Sequence, residues 1–380
     1  MALLFDFQYH ARIINASGGV DYFYNDFTSI YYKSIVNSPG LAIVTVPDDH
    51  PILDILTDDL LMEVMFGYPS PFTSGKTYFF AKDFSGLYRD QQIATDEYGN
   101  LYHLLYFVGT NDILSRYICA YPAGTLLKSQ FNSHLVEGIM DLVFTYNCTS
   151  SATVANGRYR TITPVRSAQI AITGDLPGAT ATASYSCAYK NVLDIMRELA
   201  VLGNIDFKVD REIGGVGPAG ALKFGTWNGQ LGTDRSSSLI FALELQNINQ
   251  VSLNGDRLRE KTVVIVGGSG EGSNREIGIR TGSNYSTTNE YELFADARGS
   301  GSGELSAIGD ARLAETEAKT TVDAGDVLQT SGYYYKRDYG LGDKVGVLFA
   351  GEISVKKLNV VEVKFEEKGS SNIRIGFDNA

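Results

Sequence analysis

Glycine spacing is the first feature of this sequence that could carry chemistry. Thr262–Gly282 reads TVVIVGGSGEGSNREIGIRTG, an apolar β-branched run that reaches Gly268-x-Gly270-x-Gly272. The backbone N–H groups of such a turn can cradle a pyrophosphate when a helix begins behind it. That chemistry needs a further glycine at the sixth position of the motif, where this chain has Ser273, and a helix, where Asn274–Arg280 alternates like a strand. The stretch therefore predicts a hairpin with a glycine-rich turn. Val263 and Ile265 should lie on one face and Val264 and Val266 on the other. Thr73-Ser74-Gly75-Lys76-Thr77 imitates a phosphate loop, but Ser70 stands where that motif demands glycine. Tyr78-Phe79-Phe80 continues as a strand rather than a helix, so this too reads as a turn.

The titratable residues are equally uncommitted. His10, His50, His103 and His134 are never three or four residues apart, and no HExxH occurs. No G-x-S-x-G elbow is present. Asp48-Asp49, Asp58-Asp59 and Glu366-Glu367 are acidic pairs of the kind that can do acid/base work, but adjacent acids on loops are ordinarily solvated. Cys119, Cys148 and Cys187 form no CxxC and read as reduced, buried thiols. No catalytic, cofactor-binding or metal-ligating residue is assigned, and no cofactor is expected.

The elements that must position these residues are mostly strands. The 380-residue chain, with 40 Gly, 23 Tyr and 9 Pro, has the composition of a turn-rich β protein of two or three domains. Its net charge of −12 argues against general nucleic-acid binding, although an acidic wall would keep DNA from sticking in a passage. The beginning, MALLFDFQYHARI, has no signal-peptide pattern, and no apolar run is long enough for a transmembrane helix. Strands are expected over Leu3–Ile14, Tyr22–Val36, Leu41–Val46, Leu60–Tyr68, Thr77–Phe84 and Leu101–Val108. A mixed middle follows: a short helix at Asp112–Ile118, a helix capped by Ser133, a loop over Ser150–Thr163, and the clearest helix at Asn191–Leu202, stopped by Gly203. Gly214–Gly220 reads as a flexible turn. Asp310–Val327 is expected to be helical. Gly332–Arg337, Lys344–Phe349, Ile353–Phe365 and Ile373–Phe377 are expected as closing strands, with a turn at Gly340–Asp343. Residues and spacing thus describe an acidic, β-rich, multi-domain protein with no visible active site.

Five segments in order resemble the phage tail hub and tail-tip proteins of the siphovirus Gp37-like type. They are Tyr31–Val46 (YYKSIVNSPGLAIVTV), Gly109–Ile118 (GTNDILSRYI), Val192–Val209 (VLDIMRELAVLGNIDFKV), the Val263–Ile279 hairpin and Tyr339–Val347 (YGLGDKVGV). Asn147–Thr182 and Gly282–Ser306 depart most from the pattern. The resemblance implies a β-rich α+β fold with two tail-tube-like β-barrel domains and α/β insertions. It divides the chain into 1–110 and 251–380 as the tail-tube-like domains, with a mixed α/β region at 111–250, and lets the hairpin open the second barrel. It also implies a homotrimer at the distal end of the tail, made in the host cytoplasm and carried in the virion. That hub would match a sixfold tube to a threefold tip, with a tail-tube or distal tail protein above and tip, spike or fibre proteins below. DNA would pass through without specific binding, and no catalysis is implied. Two other readings stand beside it: a tail-associated cell-wall hydrolase, and a receptor- or carbohydrate-binding module, for which the single Trp227 offers little platform.

Overall fold

The structure, a computed structural model, describes residues 8–15, 17–70, 77–122, 124–125, 128–163, 169–170, 181–211, 221–298, 302–317, 319–328, 333–366 and 371–379. The Thr73–Lys76 turn, Gly214–Gly220 and Glu367 lie outside these residues. One thirteen-stranded sheet dominates. Its hydrogen-bonded order runs Val251–Asp256, Lys319–Asp326, Asn372–Asn379, Glu352–Glu366, Ser29–Ile35, Leu41–Pro47, Leu101–Gly109, Tyr78–Thr95, Leu61–Pro69, Gln8–Ile14, Val20–Tyr24. Lys344–Phe349 pairs with Glu352–Glu366 and carries the short strand Ile240–Phe241 on its other side.

Alternation explains the sheet. In Ser29–Ile35 and Leu41–Pro47, Ile30, Tyr32, Ala42, Val44 and Val46 are buried, while Tyr31, Lys33, Ile43 and Thr45 are half-buried on the opposite face. The buried set joins Phe66, Phe107, Phe241, Tyr335, Val361 and Phe365 in a single core drawn from both ends of the chain. The ends meet where Glu352–Glu366 pairs with Ser29–Ile35, Val360 opposite Ile35 through Glu366 opposite Ser29. The path is open at both ends, and the described strands close no barrel within the chain.

Helices gather in the middle. α1 (Asp112–Ser115), α2 (Val136–Cys148) and α3 (Val192–Gly203) share a second core with the strands Ile205–Asp210 and Lys223–Asn228. The Asn191 side chain caps α3 by accepting from Leu193 N–H at 2.9 Å. The expected stop at Gly203 falls one residue early, since Asn204 takes the left-handed turn at φ 49°. Gly203 remains in the helix, where a Cβ would stand 2.8 Å from Ile205 and Val136 side-chain atoms. Ser133 does not cap α2: Gln130–Leu135 is a strand paired with Thr182–Ser186, and the helix starts after it. Asp310–Val327 divides, with α4 (Leu305–Thr316) ending before the β-branched residues of Lys319–Asp326, which pair as a strand. Tyr22–Val36 likewise breaks into two strands, and Gly332–Arg337 is no strand in its described part.

The glycine-rich stretch is a hairpin: Val263–Gly267 pairs antiparallel with Ile277–Thr281, Val263 opposite Thr281. Val264 and Val266 are buried against Leu305 and Leu313 of α4, and Ile265 stands half-buried on the other face. The hairpin does not belong to the large sheet. With Glu292–Asp296, parallel to Val263–Gly267, it makes a separate three-stranded sheet covered on one face by α4. Gly270 sits at φ 95°, and a Cβ there would come within 2.4 Å of Asn274 O. Gly270→Val should therefore cost on the order of 2–3 kcal/mol locally. Hydrogen exchange should show the Val263–Gly267 amides deprotected while those of Leu41–Pro47 are unchanged.

Candidate functional site

The titratable side chains singled out above are tied into structural contacts. His50 is buried and accepts from Ile52 N–H through Nδ1 at 3.1 Å, fixing a short turn after Leu41–Pro47. His103 lies between Asp48 Oδ1 at 2.8 Å and Gln91 Nε2 at 2.6 Å. His10 stacks near Phe80, and its pKa is lowered by burial and then by Arg12. His134 is exposed beside Leu135 O. Asp59, at φ 61°, receives both terminal nitrogens of Arg116 at 2.8 and 3.0 Å. All three cysteines are buried and free, with Cys119 Sγ 3.3 Å from Cys187 Sγ. Burial pushes the thiols of Cys148 and Cys187 up, the latter first through its contact with Cys119. Among the described residues no three His, Cys, Asp or Glu side chains gather as a metal site.

The structure instead assembles a charged seam that no spacing motif announced. The strand Ile205–Asp210 crosses from the helical middle to the large sheet and docks through side chains rather than by strand pairing. Asn37 Oδ1 accepts from Phe207 N–H at 2.7 Å, Asn111 Oδ1 accepts from Val209 N–H at 2.6 Å, and Thr110 Oγ1 donates to Val209 O. Beyond this strand, Arg211 grips Glu63 bidentately at 2.9 and 3.0 Å. Glu63 is fully buried, and Lys82 reaches both it and Asp210. Burial alone would raise the Asp210 pKa; Lys208 and Lys82 outweigh it and hold the carboxyl well below the usual range. Next along the sheet, Asp83 accepts from Tyr32 and Tyr335 hydroxyls at 2.6 Å each, with Lys336 Nζ 3.2 Å away. Burial, and then Asp83, drive both phenol pKa values far up. Asp206 joins Asn37, Lys357 and the Leu231 amide. Each partner set spans distant parts of the chain, so the seam locks the middle region onto the joined sheet. A readable signal existed: Glu63, Lys82 and Asp83 interrupt otherwise apolar strands, where a charge demands a partner.

The open face of the large sheet is the other candidate surface. Charges on it are paired across strands, Lys33 with Glu362 at 2.8 Å and Arg374 with Asp326 at 3.5 Å, and along one strand, Lys364 with Glu366. Lys33, Glu362 and Arg374 line a hollow of about 320 Å³ where Gly325 and Gly376 leave no side chain. The face is polar and shallow, suited to a broad contact or a lining more than to a small ligand.

Residues 12–377 match the family of Siphovirus ReqiPepy6 Gp37-like proteins. The chain belongs to that family. The fold of this Gp37-like chain is similar to that of the tail protein from Neisseria meningitidis MC58, at 13% identity and TM-score 0.55, covering 99% of this chain and 97% of that one. It is also similar to the 43 kDa tail protein of prophage MuSo2 from Shewanella oneidensis, at 12% identity and TM-score 0.54, covering 97% of each. No curated protein sequence matches the Gp37-like chain. The likeness of the Gp37-like chain to these two tail proteins is one of fold. No helix among the described residues is long and apolar enough to cross a membrane.

Two outcomes test the seam. Arg211→Ala should destabilise the Gp37-like chain by about 3 kcal/mol in urea unfolding, because it leaves Glu63 buried with only Lys82 nearby; Arg211→Met with Glu63→Leu should recover most of the loss. On α2, Asp141 has its pKa pushed up to about 7, by burial first and Glu137 second. The folded chain then holds a proton that the unfolded chain releases, so this group lowers stability as pH rises from about 4 to about 7. Asp141→Asn should raise the unfolding free energy at pH 8 by about 2 kcal/mol and change it little at pH 4.

Proposed function

We propose that this protein is a homotrimeric hub at the distal end of a phage tail, carried in the virion, and that it acts through interfaces rather than catalysis. The observation that carries the reading is the junction of the large sheet. One half comes from residues before 110 and the other, apart from Ile240–Phe241, from residues after 250. Each half carries a long hairpin, Tyr78–Thr95 with Leu101–Gly109 in one and Lys344–Phe349 with Glu352–Glu366 in the other. In this reading residues 1–110 and 251–380 are the two tail-tube-like units and 111–250 the mixed α/β insertion. Three copies then present six sheet halves around one axis, which matches a sixfold tube to a threefold tip.

The sheet's outermost strands favour ring closure. Val20–Tyr24 and Val251–Asp256 each have a strand on one side only among the described residues, and Tyr22 and Phe23 are exposed. Unpaired edges of this kind are templates for a neighbouring chain. The uncovered part of the face opposite the core, around Lys33, Glu362 and Arg374, is the surface we assign to the lumen. Its paired charges offer DNA no run of free cations, so DNA moves past without specific binding. A tube or distal tail protein docks above and tip, spike or fibre proteins below. Native mass spectrometry of the purified chain and electron microscopy of tails should show three copies around an open lumen. A chain that stays monomeric in both settings refutes the trimer.

A further inference from the structure

We infer that the free edge of Glu292–Asp296 is a slot for one extended segment of a neighbouring tail protein, added as a fourth strand to the small sheet. The inference rests on the tail reading for the identity of the neighbour, and on the geometry below for the mode.

Glu292–Asp296 is paired on one side only, with Val263–Gly267. Val263 N–H donates to Tyr291 O at 3.1 Å and Ala297 N–H donates to Gly267 O at 2.7 Å. With the period-two alternation of a strand, Leu293 and Ala295 turn their main chain inward, and Glu292, Phe294 and Asp296 turn theirs outward. Among the described residues no hydrogen bond reaches those outward N–H and C=O groups. Phe294 beside them is 54% exposed, held under the Arg275 guanidinium at 5.2 Å.

The space beside this edge is shaped for a chain. A cleft of about 720 Å³ lies against it, lined as well by Ile308 and Arg312 of α4 and by Ser186, Ala188, Tyr189 and Lys190. An edge in open solvent could take a folded sheet. Here the edge shares its cleft with Ser186, Ala188, Tyr189 and Lys190, which argues for a single extended segment, such as an arm or linker, as the occupant. Its side chains facing α4 would meet Ala295, Ala297 and Ile308, which favours small apolar or β-branched residues at alternate positions. The basic groups of the cleft are already matched: Lys190 and Arg312 both bind the buried Glu198, at 2.8 and 2.9 Å, and Arg298 lies 3.4 Å from Asp296. Recognition therefore runs through the main chain, which an outward-facing proline would block.

The test is hydrogen exchange resolved at single amides, on the purified chain and on assembled tails. In the purified chain Phe294 and Asp296 should exchange fast and Leu293 and Ala295 slowly. In tails Phe294 and Asp296 should slow at least tenfold. Phe294→Pro removes an outward N–H that the small sheet does not use, and Phe294→Ala keeps it while losing the same ring. Both variants should keep the Val263–Gly267 amides protected, and only the proline variant should lose the slowing at Asp296 in tails. If Phe294 and Asp296 stay fast in wild-type tails, or are already slow in the purified chain, the slot is refuted while the tail reading stands. If the protein is absent from tails, both fall.

Discussion

Four buried or nearly buried carboxylates, Glu63, Asp83, Asp206 and Asp210, set the terms for the rest of the molecule. A carboxylate taken out of water costs several kcal/mol unless a cation or several donors meet it. Here the partners arrive from far along the chain: Arg211 for Glu63, Tyr335 and Lys336 for Asp83, and Lys357 for Asp206. Glu63 and Asp210 need the first hundred residues and the middle region, Asp83 needs the first hundred residues and the closing strands, and Asp206 needs all three. The seam therefore couples three regions that could otherwise form separate cores, and it chooses one docking of the middle region over others that apolar packing alone would tolerate.

That coupling explains how a sheet of thirteen strands can be built from two ends of a chain. The pairing of Ser29–Ile35 with Glu352–Glu366 is a long-range contact that gains nothing until both strands exist. The core beneath it supplies the drive, since Phe66 packs on both Tyr335 and Phe365 at 5.2 and 5.9 Å between ring centres. The part of the opposite face around Lys33, Glu362 and Arg374 contributes little to stability, because its ion pairs are half exposed. It is open to contact, and among the described residues the edges at Val20–Tyr24, Val251–Asp256 and Glu292–Asp296 have no second partner strand. Unpaired edges of this kind can template pairing with a neighbouring chain.

Local chemistry made much of this legible in advance. Apolar runs between turn residues marked the strands expected at Leu41–Val46, Leu60–Tyr68 and Leu101–Val108, and Asn191 with its apolar stripe marked α3, because turns and helix capping are properties of neighbouring residues. The missing sixth-position glycine ruled out a nucleotide cradle at Gly268–Gly272 for the same reason. Reading failed where a distant partner overruled local preference. Lys319–Asp326 left the helical pattern because strands waited on both sides of it, and Gln130–Leu135 became a strand because Thr182–Ser186 lay alongside.

By itself the sequence determined the β-rich class, the hairpin at Thr262–Gly282, the α3 helix and the family, all of which rest on residues close together or on their order along the chain. Only the tertiary structure decided that the hairpin stands apart from the large sheet, that both chain ends share one core, and that Glu63, Asp83, Asp206 and Asp210 form a seam. Strand partners and buried-charge partners are chosen by long-range burial. The number of alternatives there is too large for spacing to resolve, and the free energy of desolvating a charge appears only once the surrounding core has closed.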